Sequence, residues 1–129
     1  MALEKKIVLV IDDEEDFCGL VKRNLEASGG FQVAVCSDSA AAYQRAKQLK
    51  PDIILLDVMM PKISGPEIAE QLRANEETKR IPLVFVSAIV AIQAETAQRS
   101  NRIGGEYMVA KPVSPEELIR LIRTITTQS

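Results

Sequence analysis

Five polar positions in this chain each fall at the end of an apolar run. Asp12 and Asp13 follow Ile7 to Ile11, Asp57 follows Ile53-Ile54-Leu55-Leu56, Ser87 follows Leu83 to Val86, and Lys111 follows Val109-Ala110 and precedes Pro112. Continuous aliphatic runs of this length read as strands buried on both faces of a parallel sheet. Polar groups at their carboxyl ends then lie where open α/β sheets hold ligands and carry out chemistry. Singly, each residue has a plainer role. Asp57 could close an Asx-turn or cap a helix, Asp12-Asp13 could complement a helix dipole, Ser87 could be a cap, and Lys111 a solvated charge. Together they are harder to explain structurally, because three carboxylates at one edge repel and raise each other's pKa unless a cation compensates. Oxygen donors alone point to Mg2+ (or Mn2+), held by one or two carboxylates with water and a substrate phosphate. An ammonium and a hydroxyl are what the equatorial oxygens of a phosphoryl group require. Asp57, on the middle strand, is best placed to attack phosphorus and form an acyl phosphate.

Positioning these groups requires five strands alternating with five helices. Ile7 to Ile11 is the first strand, and Phe17, Leu20, Val21 and Leu25 give the first helix its apolar stripe, stopped by Gly29-Gly30. Phe31, Val33 and Val35 alternate with Gln32 and Ala34, as expected of a strand near a sheet edge. Ser37-Asp38-Ser39 offers N-cap chemistry for an alanine-rich helix from Ala40 to Leu49. Pro51 opens the central strand, a turn at Lys62 to Gly65 follows, and Pro66 starts the third helix. A weakly amphipathic fourth helix is expected from about Ala91 to Arg102, ended by Gly104-Gly105, with the fifth strand running to Val109. Ser114-Pro115-Glu116-Glu117 caps the last helix, whose apolar positions are Leu118, Leu121, Ile122 and Ile125. The pattern predicts one α/β domain over residues 1–129: a doubly wound parallel sheet of order 2-1-3-4-5, the flavodoxin-like (βα)5 arrangement.

Composition narrows the chemistry. With no histidine among 129 residues, Ser-His-Asp and Cys-His catalysis and most transition-metal sites are excluded. The chain cannot carry a phosphohistidine, so a phosphoryl group would have to come from another molecule. The net charge of −2 and the lack of a basic stripe predict no direct contact with nucleic acid or an anionic membrane. No apolar stretch approaches the roughly 18 residues of a membrane span, and the N-terminus lacks signal-peptide features, so a cytoplasmic location is expected. Cys18 and Cys36 lack metal-site spacing and read as buried thiols.

The motifs Val10-Ile11-Asp12-Asp13-Glu14, Asp57-Val58-Met59-Met60-Pro61 with Ser64-Gly65, Ser87-Ala88 and Lys111-Pro112 resemble those of the receiver domain of two-component response regulators, over essentially the whole chain. The resemblance implies that Asp57 accepts phosphate from a histidine kinase or histidine phosphotransfer protein. It implies that Asp12, Asp13, Asp57 and the Met59 backbone carbonyl bind Mg2+, and that Ser87 and Lys111 bind the phosphoryl group, with a cis bond before Pro112. It also implies self-catalysed phosphotransfer, not turnover of a substrate, and an output surface on the fourth helix, fifth strand and last helix. That surface would include Arg120 and Arg123, could support a phosphorylation-dependent homodimer, and would meet a downstream partner the motifs do not name.

One position departs from the family pattern. Receivers commonly carry Tyr or Phe three residues before the motif lysine, and here Met108 stands there, with Tyr107 one residue off. Side chains alternate along a strand, so Tyr107 should face the other way and Met108 should fill the switch slot together with Ser87. Met59 and Ile89, each two residues beyond Asp57 and Ser87, are apolar and should disfavour orientation of an attacking water, which predicts slow loss of phosphate. Two rival readings remain: an Mg2+-dependent aspartyl phosphatase, which wants a carboxylate where Met59 stands, and a receiver-like binding module that does not use phosphate.

Overall fold

The computed structural model describes residues 5–88, 102–103, 106–111 and 113–127. Three strands form the centre of its sheet: β1 (Lys6–Ile11), β3 (Ile53–Leu56) and β4 (Leu83–Ser87). β2 (Phe31–Cys36) lies outside β1, while β6 (Glu106–Ala110) and a two-residue β5 (Arg102–Ile103) lie outside β4, giving the order β2-β1-β3-β4-β6-β5. The first five of these run parallel, in the doubly wound order expected from the sequence, and β5 pairs antiparallel with β6.

The helices cover both faces. Val8, Val10, Ile53, Leu55, Val84 and Val86 point to one side, where they meet Cys18, Val21 and Leu25 of α1 (Glu15–Ser28) and Leu118, Ile122 and Ile125 of α4 (Pro115–Thr126). Leu9, Ile11, Ile54, Leu56, Leu83 and Phe85 point to the other side. There they meet Ala42 and Ala46 of α2 (Ala42–Leu49) and Ile68, Ala69 and Leu72 of α3 (Gly65–Arg73). The aliphatic runs are therefore continuous because both sides are buried, and each such side chain contributes roughly 1.5–3 kcal/mol of burial. No described helix is long and apolar enough to cross a membrane.

Local chemistry sets the helix ends. Gly29 and Gly30 take φ values of 84° and 90° after α1, a conformation that costs side-chain-bearing residues energy. Asp38 accepts a hydrogen bond from the Ala40 N–H at 3.1 Å and caps a short 3₁₀ turn, Ser39–Ala41, that leads into α2. Ser64 caps α3 in a reciprocal box with Glu67, and Ser114 accepts from the Glu117 N–H at 3.1 Å to cap α4.

Two expectations are corrected. Leu20 does not join the buried stripe of α1: it is 46% exposed, and Cys18 takes the core position, because the stripe is centred on residues 18, 21 and 25. Arg102 does not end a helix; it pairs with Tyr107, and Ile103 pairs with Glu106, in a hairpin-like extension of the sheet. The rest of the expected fourth helix, residues 91–101, lies outside the described residues, as do Ile89, Gly104, Gly105 and Pro112.

Candidate functional site

Asp12 and Asp57 reach one edge of the sheet because the ladder between their strands continues to them. Ile11 pairs with Leu56, the Asp57 N–H donates to the Ile11 carbonyl at 2.9 Å, and the Asp12 N–H donates to the Cys36 carbonyl at 3.1 Å. Asp12 is 1% and Asp57 6% exposed, whereas Asp13 is exposed. Each of the three offers a carboxylate oxygen, and these oxygens lie within 4.8 Å of one another.

The cation expected from β6 arrives as well. Lys111 Nζ donates to Asp12 Oδ2 at 2.8 Å and to Glu14 Oε1, and sits 4.3 Å from the centre of the Phe17 ring, a cation–π distance. Burial alone would lower the lysine's pKa. The hydrogen bonds to Asp12 and Glu14, with the charges of Asp12 and Asp57, outweigh it and hold Lys111 above its ordinary value. The second Asp12 oxygen, Oδ1, accepts from the Glu14 N–H at 2.9 Å, which fixes the carboxylate's orientation. Ser87 ends β4 at the same edge, in register with Ala110 beside Lys111; its side chain lies outside the described residues.

The donor set fits a hard divalent cation. Three carboxylates converge, Lys111 bonds one of them, and no imidazole exists in the chain. The nearby thiol does not compete: burial, then the charge of Asp12, push Cys18 up to about 12, and its Sγ donates to the Asp12 carbonyl at 3.2 Å.

The loop after Asp57 is braced on both sides. A Cβ at Gly65 would fall 2.1 Å from the Asp57 carbonyl oxygen and 2.9 Å from the Val58 Cα, so only glycine allows α3 to begin this close to the aspartate. The Gly65 N–H donates to the Val58 carbonyl at 2.8 Å. From the other side, the buried Ser39 Oγ donates to the Pro61 carbonyl at 2.5 Å and accepts from the Ile63 N–H at 3.2 Å. Between these anchors Lys62 takes a left-handed φ of 73° and pairs with Asp38 at 3.3 Å. Met59 stands two residues past Asp57 with 63% of its surface exposed. On the far side of the site, Met108 is buried beside Phe85, on the face covered by α2 and α3, while Tyr107 packs on the opposite face.

Four of the sequence-selected residues, Asp12, Asp13, Asp57 and Lys111, are thus brought together, and Ser87 is brought to the same edge. Glu14, Phe17, Ser39 and Gly65 were not selected from the sequence for the contacts they make. Glu14 and Gly65 lie inside the quoted motifs; Phe17 and Ser39 read only as a helix-stripe and a capping residue.

The doubly wound sheet with acidic residues at its carboxyl edge is the arrangement of a receiver domain. The chain belongs to the response regulator receiver domain family, which it matches over residues 8–123. It is 35% identical over 126 residues to the alkaline phosphatase synthesis transcriptional regulatory protein PhoP of Bacillus subtilis, covering 96% of this chain and 50% of PhoP. It is 29% identical over 119 residues to the polar-differentiation response regulator DivK of Brucella anthropi, covering 92% of this chain and 94% of DivK. The chain therefore spans about half the length of relatives such as PhoP and nearly all of DivK. Among solved structures, the receiver domain of the Pseudomonas aeruginosa sensor histidine kinase PA1611, with a magnesium ion coordinated in its active-site cleft, superimposes with a TM-score of 0.81 at 22% identity, covering 96% of this chain and 99% of that one. The chain is a receiver domain of the kind found in two-component response regulators, a signalling module and not a substrate-turnover enzyme.

Proposed function

We propose that Asp57 is the phosphoacceptor of a two-component phosphorelay, loaded by the phosphohistidine of a histidine kinase or histidine phosphotransfer protein. The observation that carries this reading is the convergence of three carboxylate oxygens within 4.8 Å, with Lys111 bonded to one of the three residues. An Asp57 carboxylate oxygen attacks phosphorus as the P–N bond to the donor imidazole breaks, and the electron pair leaves with the ring nitrogen, which is protonated as it departs. Asp12, Asp13, Asp57 and the Met59 backbone carbonyl would hold Mg2+ (or Mn2+), which when bound neutralises the phosphoryl oxygens. Lys111 supplies a second positive charge to those oxygens and Ser87 a hydroxyl donor. Ser87 then couples the phosphoryl group to Met108, and the change is read at the surface of β6 and α4 by a downstream partner or a second copy of the chain. The exposed, apolar Met59 contributes no acid, base or amide to orient water, so the acyl phosphate is long-lived.

Incubation with acetyl phosphate and Mg2+, followed by intact-mass measurement, tests the reading. One phosphate per chain is expected, lost in Asp57→Asn and lost on chelation of the metal. Continuous release of inorganic phosphate over many equivalents would establish the aspartyl phosphatase instead, and no incorporation at all would favour a phosphate-independent binding module.

A further inference from the structure

Lys111 is held by a carboxylate of the metal-type cluster and by one outside it. Its ammonium bonds Asp12 Oδ2 at 2.8 Å and also bonds Glu14 Oε1. The remaining oxygen of Asp12, Oδ1, is engaged by the Glu14 N–H at 2.9 Å. A divalent cation joining Asp12, Asp13 and Asp57 would draw on the same Asp12 carboxylate as Lys111, and would meet the lysine's charge at close range. Glu14, whose side chain lies outside the three-carboxylate cluster and is largely exposed, is a partner of the ammonium that such a cation does not claim.

We propose that Glu14 is a positioning residue that keeps hold of Lys111 when the cation takes Asp12, and so sets the cluster's affinity for a divalent cation. This rests on the reading that the cluster binds such a cation. Glu14 acts through two separate groups: its main-chain N–H orients Asp12, and its carboxylate partners Lys111. Replacing the side chain leaves the first contact in place, so the second can be tested alone.

The test is a double-mutant cycle read by isothermal titration calorimetry with MgCl2, without any phosphodonor. Glu14→Gln is expected to weaken Mg2+ binding roughly five- to tenfold, combining loss of the pair with loss of one charge. Lys111→Met is expected to bind Mg2+ more tightly than the parent, because the competing ammonium is gone. In the Lys111→Met background, Glu14→Gln should change affinity by no more than about twofold, the screened effect of one unit charge. Unchanged affinity in Glu14→Gln, or the same loss in both backgrounds, would overturn the positioning role while leaving the cation site intact. Absence of any Mg2+ binding by the unsubstituted protein would overturn the cation reading and this inference with it.

Discussion

On the β1–β3 side of the site the main chain places the chemistry, whereas on the β4–β6 side a long side chain delivers it. Asp12 and Asp57 are fixed by backbone hydrogen bonds to Cys36 and Ile11, one residue beyond the strand ends, and both are almost wholly buried. The β3–β4 register ends at Leu56 and Phe85, so Ser87 stands two residues past its strand's last pairing with the acidic side. The Lys111 side chain crosses from the second half to the first, reaching Asp12 and Glu14 from the end of β6. Backbone placement tolerates little displacement, and a flexible four-carbon stem tolerates a good deal. Substitutions near the carboxylates should therefore act mainly on stability, and those around Lys111 and Met108 mainly on occupancy and switching.

The sharpest way to break that contrast is Gly65→Ala. The added methyl would overlap the Asp57 carbonyl oxygen, and the nearest obstacles are backbone atoms that cannot rotate away. A loss of about 3 kcal/mol is expected by urea denaturation, together with slower phosphate incorporation as α3 is pushed off the loop. Gly19→Ala supplies the control. That glycine sits in the interior of α1 with nothing within 4 Å of an added Cβ, so alanine should stabilise by up to about 1 kcal/mol. Equal effects at the two positions would mean that the close approach at Asp57 is not under constraint.

The same contrast explains what was legible in the amino-acid sequence. The central strands read clearly because burial on both faces makes their aliphatic runs continuous, and a polar residue at the end of each marks the site edge. Leu20 misled because a helical stripe judged from spacing alone can be centred one residue too far round the cylinder. Arg102–Ile103 is too short a strand to show any period. The contacts of Glu14 with Lys111 and of Ser39 with Pro61 join residues 97 and 22 positions apart, and no local pattern announces them. Gly65 was visible as part of a turn, but its closeness to Asp57 is a property of how α3 meets β3.

Met59 sharpens the comparison from within the acidic half, because its side chain is largely exposed two residues beyond the buried Asp57. An amide or carboxylate there could hold a water against the phosphoryl group, which a thioether cannot. Met59→Asn and Met59→Glu should speed loss of phosphate from Asp57 by about tenfold, within the range of a positioned polar group. The rate is measured by intact mass after the phosphodonor is removed. Stability should be unchanged, since the side chain buries little. An unchanged rate would place the control of lifetime elsewhere.

The smallest expected effect distinguishes two neighbours on β6. Met108 and Tyr107 are adjacent in sequence, yet Met108 packs with Phe85 and Leu56 on one face of the sheet while Tyr107 packs with the α1 and α4 cluster on the other. β4 pairs with β6 from Val84 and Tyr107 to Ser87 and Ala110, so Met108 lies on the strand that runs beside the main chain of Ser87. If the phosphoryl group acts through Ser87, the displacement should reach the Met108 methyl before it reaches the Tyr107 ring. NMR of methyl-labelled Met108 and ring-labelled Tyr107, with and without acetyl phosphate and Mg2+, reads both at once. The methyl resonance should move more than the ring resonance, and neither should move in Asp57→Asn. A larger shift at Tyr107 would mean that switching travels through the α1–α4 face, and the division between a rigid acidic half and a responsive β4–β6 half would have to be redrawn along the faces of the sheet instead of along its edge.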